Sequence, residues 1–261
     1  MARDPVKAAQ AKIVIQRSGD RCAYPDCGIG LSVDAQTTED EHKAVGKVAH
    51  ICAASKGGPR YDESMTTTER GSADNLIYLC GPHHDVIDTQ LHYHTVDSLR
   101  DMKARHERTV ARAMSHAMGK VGFDHLELVC KFVGMGDERT DDAIVIPIDI
   151  QAKIELNSLG PIAEERIRIG LAKSSEVESF IAAINRMRPN FGNRLAARFK
   201  KEYYAGFADG LSGDELFEYI CAVALDNAGP VETDTLRAAT LATVAYLFQL
   251  CELFEHESPA A

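Results

Sequence analysis

The chain has 261 residues, 45% of them hydrophobic and 26% charged, a balance that suits a soluble globular protein long enough for two modest domains. A net charge of -10 argues against a protein that grips nucleic acid by bulk positive charge alone. No apolar run is long enough to span a bilayer, and "MARDPVKAAQAKIVIQRSGD" at the start has no signal-peptide core. The expected setting is therefore a reducing cytoplasm, where seven cysteines act as metal ligands or core residues rather than disulfides.

The charge is uneven. Residues 1–118 carry 15 Lys and Arg against 16 Asp and Glu, whereas residues 119–261 carry 14 against 23. Eight of the ten histidines fall before residue 119, so metal-type chemistry and acidity sit in different halves. That shift, with the two glycines of "AMGKVGF", predicts one domain over 1–118 and a second over 119–261.

In chain order, "KVAHI" (47–51) alternates as a strand does, and "AASKGGPRYD" (53–62) follows as a Gly-Pro loop. "NLIYL" (75–79) is a second strand, antiparallel to the first if the loop folds back. "GPHHDVIDTQL" (81–91) places proline in the first turn of a short helix, and Thr95 is the expected N-cap of a longer one over 95–114. The first domain thus reads as a ββα unit with a trailing helix. In the second, "DDAIVIPIDIQAKIELN" (141–157) alternates as an edge strand interrupted by Pro147. Helices are expected near 162–172, 175–187, 190–208, 212–226 and 234–256. The fold class is α+β, a zinc-stapled ββα domain joined to a mainly helical one with a short strand region.

Two groups of residues carry chemistry. Cys22 and Cys27 bracket four residues, and Cys80 and His83 bracket two. Each short turn lets two side chains converge on one ion, so the two pairs fit a tetrahedral Cys3His structural zinc. A ββα unit this small buries little apolar surface, and zinc would contribute on the order of 10–16 kcal/mol of apparent binding energy. Cys52 pairs with nothing and reads as core. In the second group, His84 and Asp88 lie four apart on one helical face, where an imidazole and a carboxylate can share one divalent ion. His50 lies across the hairpin and has the residue chemistry of a general base. Asn75 starts the next strand, where its amide can bond the backbone across the loop and hold His50 in place.

The order His50, Asn75, His84 within strand, loop, strand and helix resembles the HNH, or ββα-metal, endonucleases. The resemblance extends over residues 20–107 through "CAYPDC", "AHI", "GGPRYD", "NLIYLC", "HHDVID" and "LRDMKARHE". It implies that His50 activates water for attack on a DNA phosphodiester. It also implies that Mg²⁺ (or Mn²⁺), held by His84 and Asp88, stabilises the scissile phosphate and the leaving 3′-oxygen. Ala49 departs from the pattern, because many HNH enzymes place a further metal ligand just before the general base. Arg60, in the loop between the strands, is a candidate phosphate clamp or an ordinary surface charge. His92 and His94 are two apart with no third ligand evident, and His42 reads as solvated loop.

Basic residues cluster locally at Lys103, Arg105, Arg108 and Arg112, and again at Arg194, Arg198, Lys200 and Lys201. The overall deficit of positive charge implies delivery to DNA by a partner or an oligomer, and cutting two strands together would call for a homodimer. Near the end, "VAYLFQLCELFE" is apolar on nearly every face, as a bundle centre or a docking surface would be. It is similar to the closing helix of C-terminal domains in bacterial ABC-three-component systems, which implies an ABC-type ATPase partner. Together these readings give a metal-dependent DNA endonuclease acting as a defence-system effector against phage or mobile elements. The alternative is a zinc-stapled adaptor that binds nucleic acid or protein without catalysis.

Overall fold

The computed structural model describes residues 6–33, 43–131, 149–228, 233–250 and 254. It divides into two compact units, Met1–Ala113 and Met114–Ala261.

The first unit is organised by a strand pair. Helix α1 (Ala8–Arg17) comes first, followed by two short strands, β1 (Ser32–Val33) and β2 (Lys43–Ala44), which pair antiparallel. Strand β3 (Lys47–His50) pairs antiparallel with β4 (Leu76–Leu79), in a register that sets Lys47 opposite Leu79 and His50 opposite Leu76. The loop between them carries helix α2 (Thr67–Gly71) and a single 3-10 turn (Ala73–Asn75). Thr66 and Glu69 close α2 with reciprocal side-chain to backbone bonds, a capping box. All four residues of β4 are buried, as expected of a strand covered on both faces. Helix α1 packs against β3 and β4 through buried Ile13 and Val14. Gly46 is required where it stands, because a Cβ there would lie 2.3 Å from the Tyr78 ring.

Helix α3 (Gly81–Thr89) starts immediately after β4 with proline in its first turn, and packs against β3. Helix α4 (Val96–Ala117) follows, and the Thr95 hydroxyl accepts the Ser98 amide at 3.2 Å, capping it as the sequence predicts. Its apolar stripe includes Leu99, Met102 and Val110, all buried.

The described residues of the second unit are helical: α5 (Phe123–Cys130), α6 (Ile150–Leu156), α7 (Pro161–Leu171), α8 (Ser174–Met187), α9 (Phe191–Ala208), α10 (Gly213–Ala228) and α11 (Asp234–Leu250). The strand expected over 141–157 is overturned where it can be seen. Ile150–Leu156 is a helix, N-capped by Asp149, whose carboxylate accepts the Gln151 amide at 2.9 Å. The alternation of apolar residues runs up to Ile150, but beyond Asp149 the spacing of Ile150 and Ile154 is helical. Residues 141–148 lie outside the described residues.

Helix α11 is the axis of this bundle. It is buried continuously from Leu236 to Phe248 and packs against α5, α7, α8 and α10. Of the two uses expected for this apolar helix, bundle centre and docking surface, it serves the first. A Cβ on Gly170 of α7 would lie 2.7 Å from the Leu241 carbonyl oxygen, so glycine allows the two helices to approach closely. The core also holds charge. Arg166 and Glu218 form a buried ion pair, and Lys153 donates to the Phe248 carbonyl at 2.8 Å.

Candidate metal centre and active site

The two predicted ligand pairs converge. The donor atoms of Cys22, Cys27, Cys80 and His83 all lie within 4.8 Å of one another. His83 Nδ1 lies 3.2 Å from the Cys80 sulfur and 3.6 Å from the Cys22 sulfur. These spacings suit the edges of a tetrahedron of zinc ligands about 2.0–2.3 Å from a central ion. The cluster can hold a metal such as zinc.

Local structure explains the convergence. Cys22 donates its amide to the Ile29 carbonyl at 3.0 Å, and Ala23 donates to the Tyr78 carbonyl at 3.0 Å, pinning the first turn to β4. Asp26 and Gly28 take left-handed conformations that reverse the chain around Cys27. The second pair straddles the β4–α3 junction. The Cys80 amide points at the Cys22 sulfur at 3.3 Å, an orientation that favours a thiolate there. Tyr24 stacks flat on His83 with ring centroids 3.9 Å apart, holding the imidazole in place. Burial opposes ionisation and pushes the Cys22 thiol up to about 12, so a bound cation is what would make the thiolate stable. Cys52 is buried and stands apart from the cluster, as core.

The second group occupies the facing elements. His50 ends β3 and is 8% exposed. His84 and Asp88 lie on α3, with His84 Nε2 4.0 Å from Asp88 Oδ2. They remain a pair. Among the described residues, three or more such ligands converge only at the Cys3His cluster. Asn75 bonds both polar groups of Cys52, accepting its amide at 2.9 Å and donating to its carbonyl at 2.8 Å. A third bond goes from Nδ2 to the Arg70 carbonyl at 2.8 Å. The backbone returns the connection, with the Ile51 amide donating to the Asn75 carbonyl at 2.8 Å. The segment just after His50 is thus fixed from both sides.

Arg60 has a role that differs from the phosphate clamp or surface charge expected of it. Its guanidinium donates to the Ile51 carbonyl at 2.8 Å, the Ile87 carbonyl at 2.7 Å and Asp88 Oδ1 at 2.8 Å. The side chain is 6% exposed. A cation so committed braces β3 against α3 and leaves only Asp88 Oδ2 facing His84. Lys103 is likewise unavailable to a ligand, being buried and ion-paired with Glu107. Its neighbours Arg105, Arg108 and Arg112 are exposed. His94, left without a role by the sequence, is 1% exposed and packs edge-on against Tyr24 and Tyr93. Burial, with the charge of Arg60 second, lowers its pKa. His42 lies outside the described residues.

No helix among the described residues is long and apolar enough to cross a membrane. Residues 135–255 match the family model for C-terminal domain 10 of the ABC-three component (ABC-3C) systems. The match agrees with the resemblance read from the closing helix. No curated protein and no solved structure matches the chain.

Proposed function

We propose that this chain is the nuclease component of an ABC-three-component defence system. In this reading the first unit cuts DNA, and the second couples it to an ABC-type ATPase. The observation that carries the nuclease half is the β3–β4 register, secured by the Asn75–Cys52 bonds. It sets His50 at the end of one strand, while the other strand leads through Cys80 directly into the helix bearing His84 and Asp88. The family match of residues 135–255 supports the coupling half.

The residues present fit a weakly held Mg²⁺-type ion. One imidazole nitrogen and one carboxylate oxygen lie 4.0 Å apart, and such an ion keeps most of its own waters. When bound, it would supply charge stabilisation to the phosphate and the leaving oxygen. His50 takes a proton from the attacking water, Asn75 holds the backbone that aims His50, and Arg60 orients Asp88.

The alternative, a zinc-stapled adaptor without catalysis, is favoured by Ala49, which puts a buried methyl group where many HNH enzymes have a further ligand. One experiment separates the two. Purified full-length chain is incubated with supercoiled plasmid and Mg²⁺ or Mn²⁺, with and without a candidate ABC-type ATPase partner, next to His50→Ala. Nicking by wild type and not by the variant supports the nuclease, whereas equal silence from both with the partner present supports the adaptor.

A further inference from the structure

A nuclease of this kind needs a cation for the strand that it cuts, and Arg60 is spent on internal bonds. Arg100 is not. It lies on α4 beside Leu99, which is fully buried and fixes the helix at that point. Arg100 itself is exposed, and among the described residues it makes no hydrogen bond or ion pair. Its charge nevertheless reaches Cys52 and Asp62: it opposes the burial that raises the Cys52 pKa, and it adds to the Ser64 hydrogen bonds that lower that of Asp62. Cys52 is the residue clasped by Asn75, two positions from His50. A free guanidinium on a rigid helix therefore borders the hairpin that carries His50.

Tyr93 adds a second, independent observation. It is 75% exposed, yet its ring is the outer member of a packed series. His94 meets it edge-on at 4.9 Å, Tyr24 meets His94 at 5.7 Å, and Tyr24 stacks on the zinc-ligand candidate His83. The Ser98 hydroxyl donates to the Tyr93 carbonyl at 3.3 Å, tying its backbone to the first turn of the helix that bears Arg100. An aromatic ring that is fixed in orientation but open to solvent offers a stacking platform for a flat ligand.

We infer that Arg100 and Tyr93 together hold the substrate strand, Arg100 through a phosphate and Tyr93 by stacking on a base. The inference rests on the nuclease reading and narrows it. Base faces are hidden inside a duplex, so the favoured substrate is single-stranded DNA or a locally unpaired site.

The test uses full-length chain carrying His50→Ala, with Mg²⁺. It is titrated with a single strand containing 2-aminopurine, and with the matching duplex, over a series of salt concentrations. The expected parent binds the single strand more tightly and quenches the probe. Arg100→Gln should weaken binding and reduce the slope of log affinity against log salt by about 0.7, one phosphate on a single strand. Arg188→Gln, an equal charge change in the second unit, should leave the slope alone. Tyr93→Ala should lower single-strand affinity roughly five- to hundredfold, abolish quenching and keep the slope, while Tyr93→Phe retains binding. If Arg100→Gln matches Arg188→Gln, or Tyr93→Ala binds as the parent does, the strand contact is refuted. The nuclease reading would survive that result as long as the wild type still cuts plasmid. A parent that binds neither strand nor duplex while the wild type fails to cut would overturn both.

Discussion

Asn75 grips both backbone polar groups of Cys52, accepting from its N–H at 2.9 Å and donating to its carbonyl at 2.8 Å. With Asn75 only 4% exposed, neither bond is readily replaced by water. Asn75→Asp keeps the shape but turns the Nδ2 donor into an acceptor facing two carbonyls, those of Cys52 and Arg70. The expected cost is about 1–3 kcal/mol for each buried group left unsatisfied, measured by urea unfolding of the full chain. Plasmid nicking should fall with it, because the loop behind His50 is released. An Asn75→Asp protein as stable as wild type would show that the clasp is incidental.

Arg60 and Arg100 make opposite predictions, although both are arginines near the same hairpin. Arg60→Gln removes a cation whose three bonds are all internal, so stability should fall by about 1.5–3 kcal/mol, in the range for hydrogen bonds made by charged groups. Arg60→Lys should rescue little of this, since an ammonium cannot reproduce the planar fork. The salt dependence of DNA binding should stay as in the parent. A reduced salt slope with unchanged stability would return Arg60 to the phosphate-clamp role.

Zinc should account for most of the stability of the first unit. Elemental analysis of protein purified without added metal should find one zinc per chain, and Cys22→Ser or Cys80→Ser should lose it. An apparent binding energy on the order of 10–16 kcal/mol exceeds what a small domain otherwise contributes, so chelation should abolish the cooperative unfolding of the first unit. The helices of the second unit hold no part of the cluster and should persist by circular dichroism. A chelated protein that unfolds as before would show that the four donors are only neighbours.

The Cys3His cluster was legible in the sequence because each pair of donors is local: four residues separate Cys22 from Cys27, and two separate Cys80 from His83. The β3–β4 pair was legible for a similar reason, with an alternating strand and a short apolar run, joined by a Gly-Pro loop. The role of Arg60 was not, since Ile51, Ile87 and Asp88 reach it from segments that only the fold brings together. Helix α1 was missed because Ile13, Val14 and Ile15 are β-branched residues that suit a strand, and its N-cap Lys7 makes no side-chain bond to announce a start. Tertiary burial of Ile13 and Val14 against the strand pair overrides that preference. In the second unit the alternation around Pro147 suggested a strand, yet an N-cap at Asp149 and burial of Ile154 make Ile150–Leu156 helical.

The first unit should also lose stability in mild acid through His106. Its Nε2–H donates to the Ser18 carbonyl at 2.9 Å, which ties α4 to the turn after α1. Burial pushes the His106 pKa below its usual value, partly offset by that same bond. The folded protein therefore takes up this proton less readily than the unfolded chain. The corresponding stability is fully present above the unfolded value of about 6.5 and is lost as pH falls through the lower folded value. His94, also depressed by burial, acts in the same direction. Acid releases zinc from thiolates as well, so the informative quantity is a difference between proteins of equal zinc content. His106→Gln keeps an amide donor for Ser18 but cannot titrate. Its melting temperature should fall less than that of wild type between pH 7.5 and 5.5, and parallel curves would remove His106 as a source of the acid sensitivity.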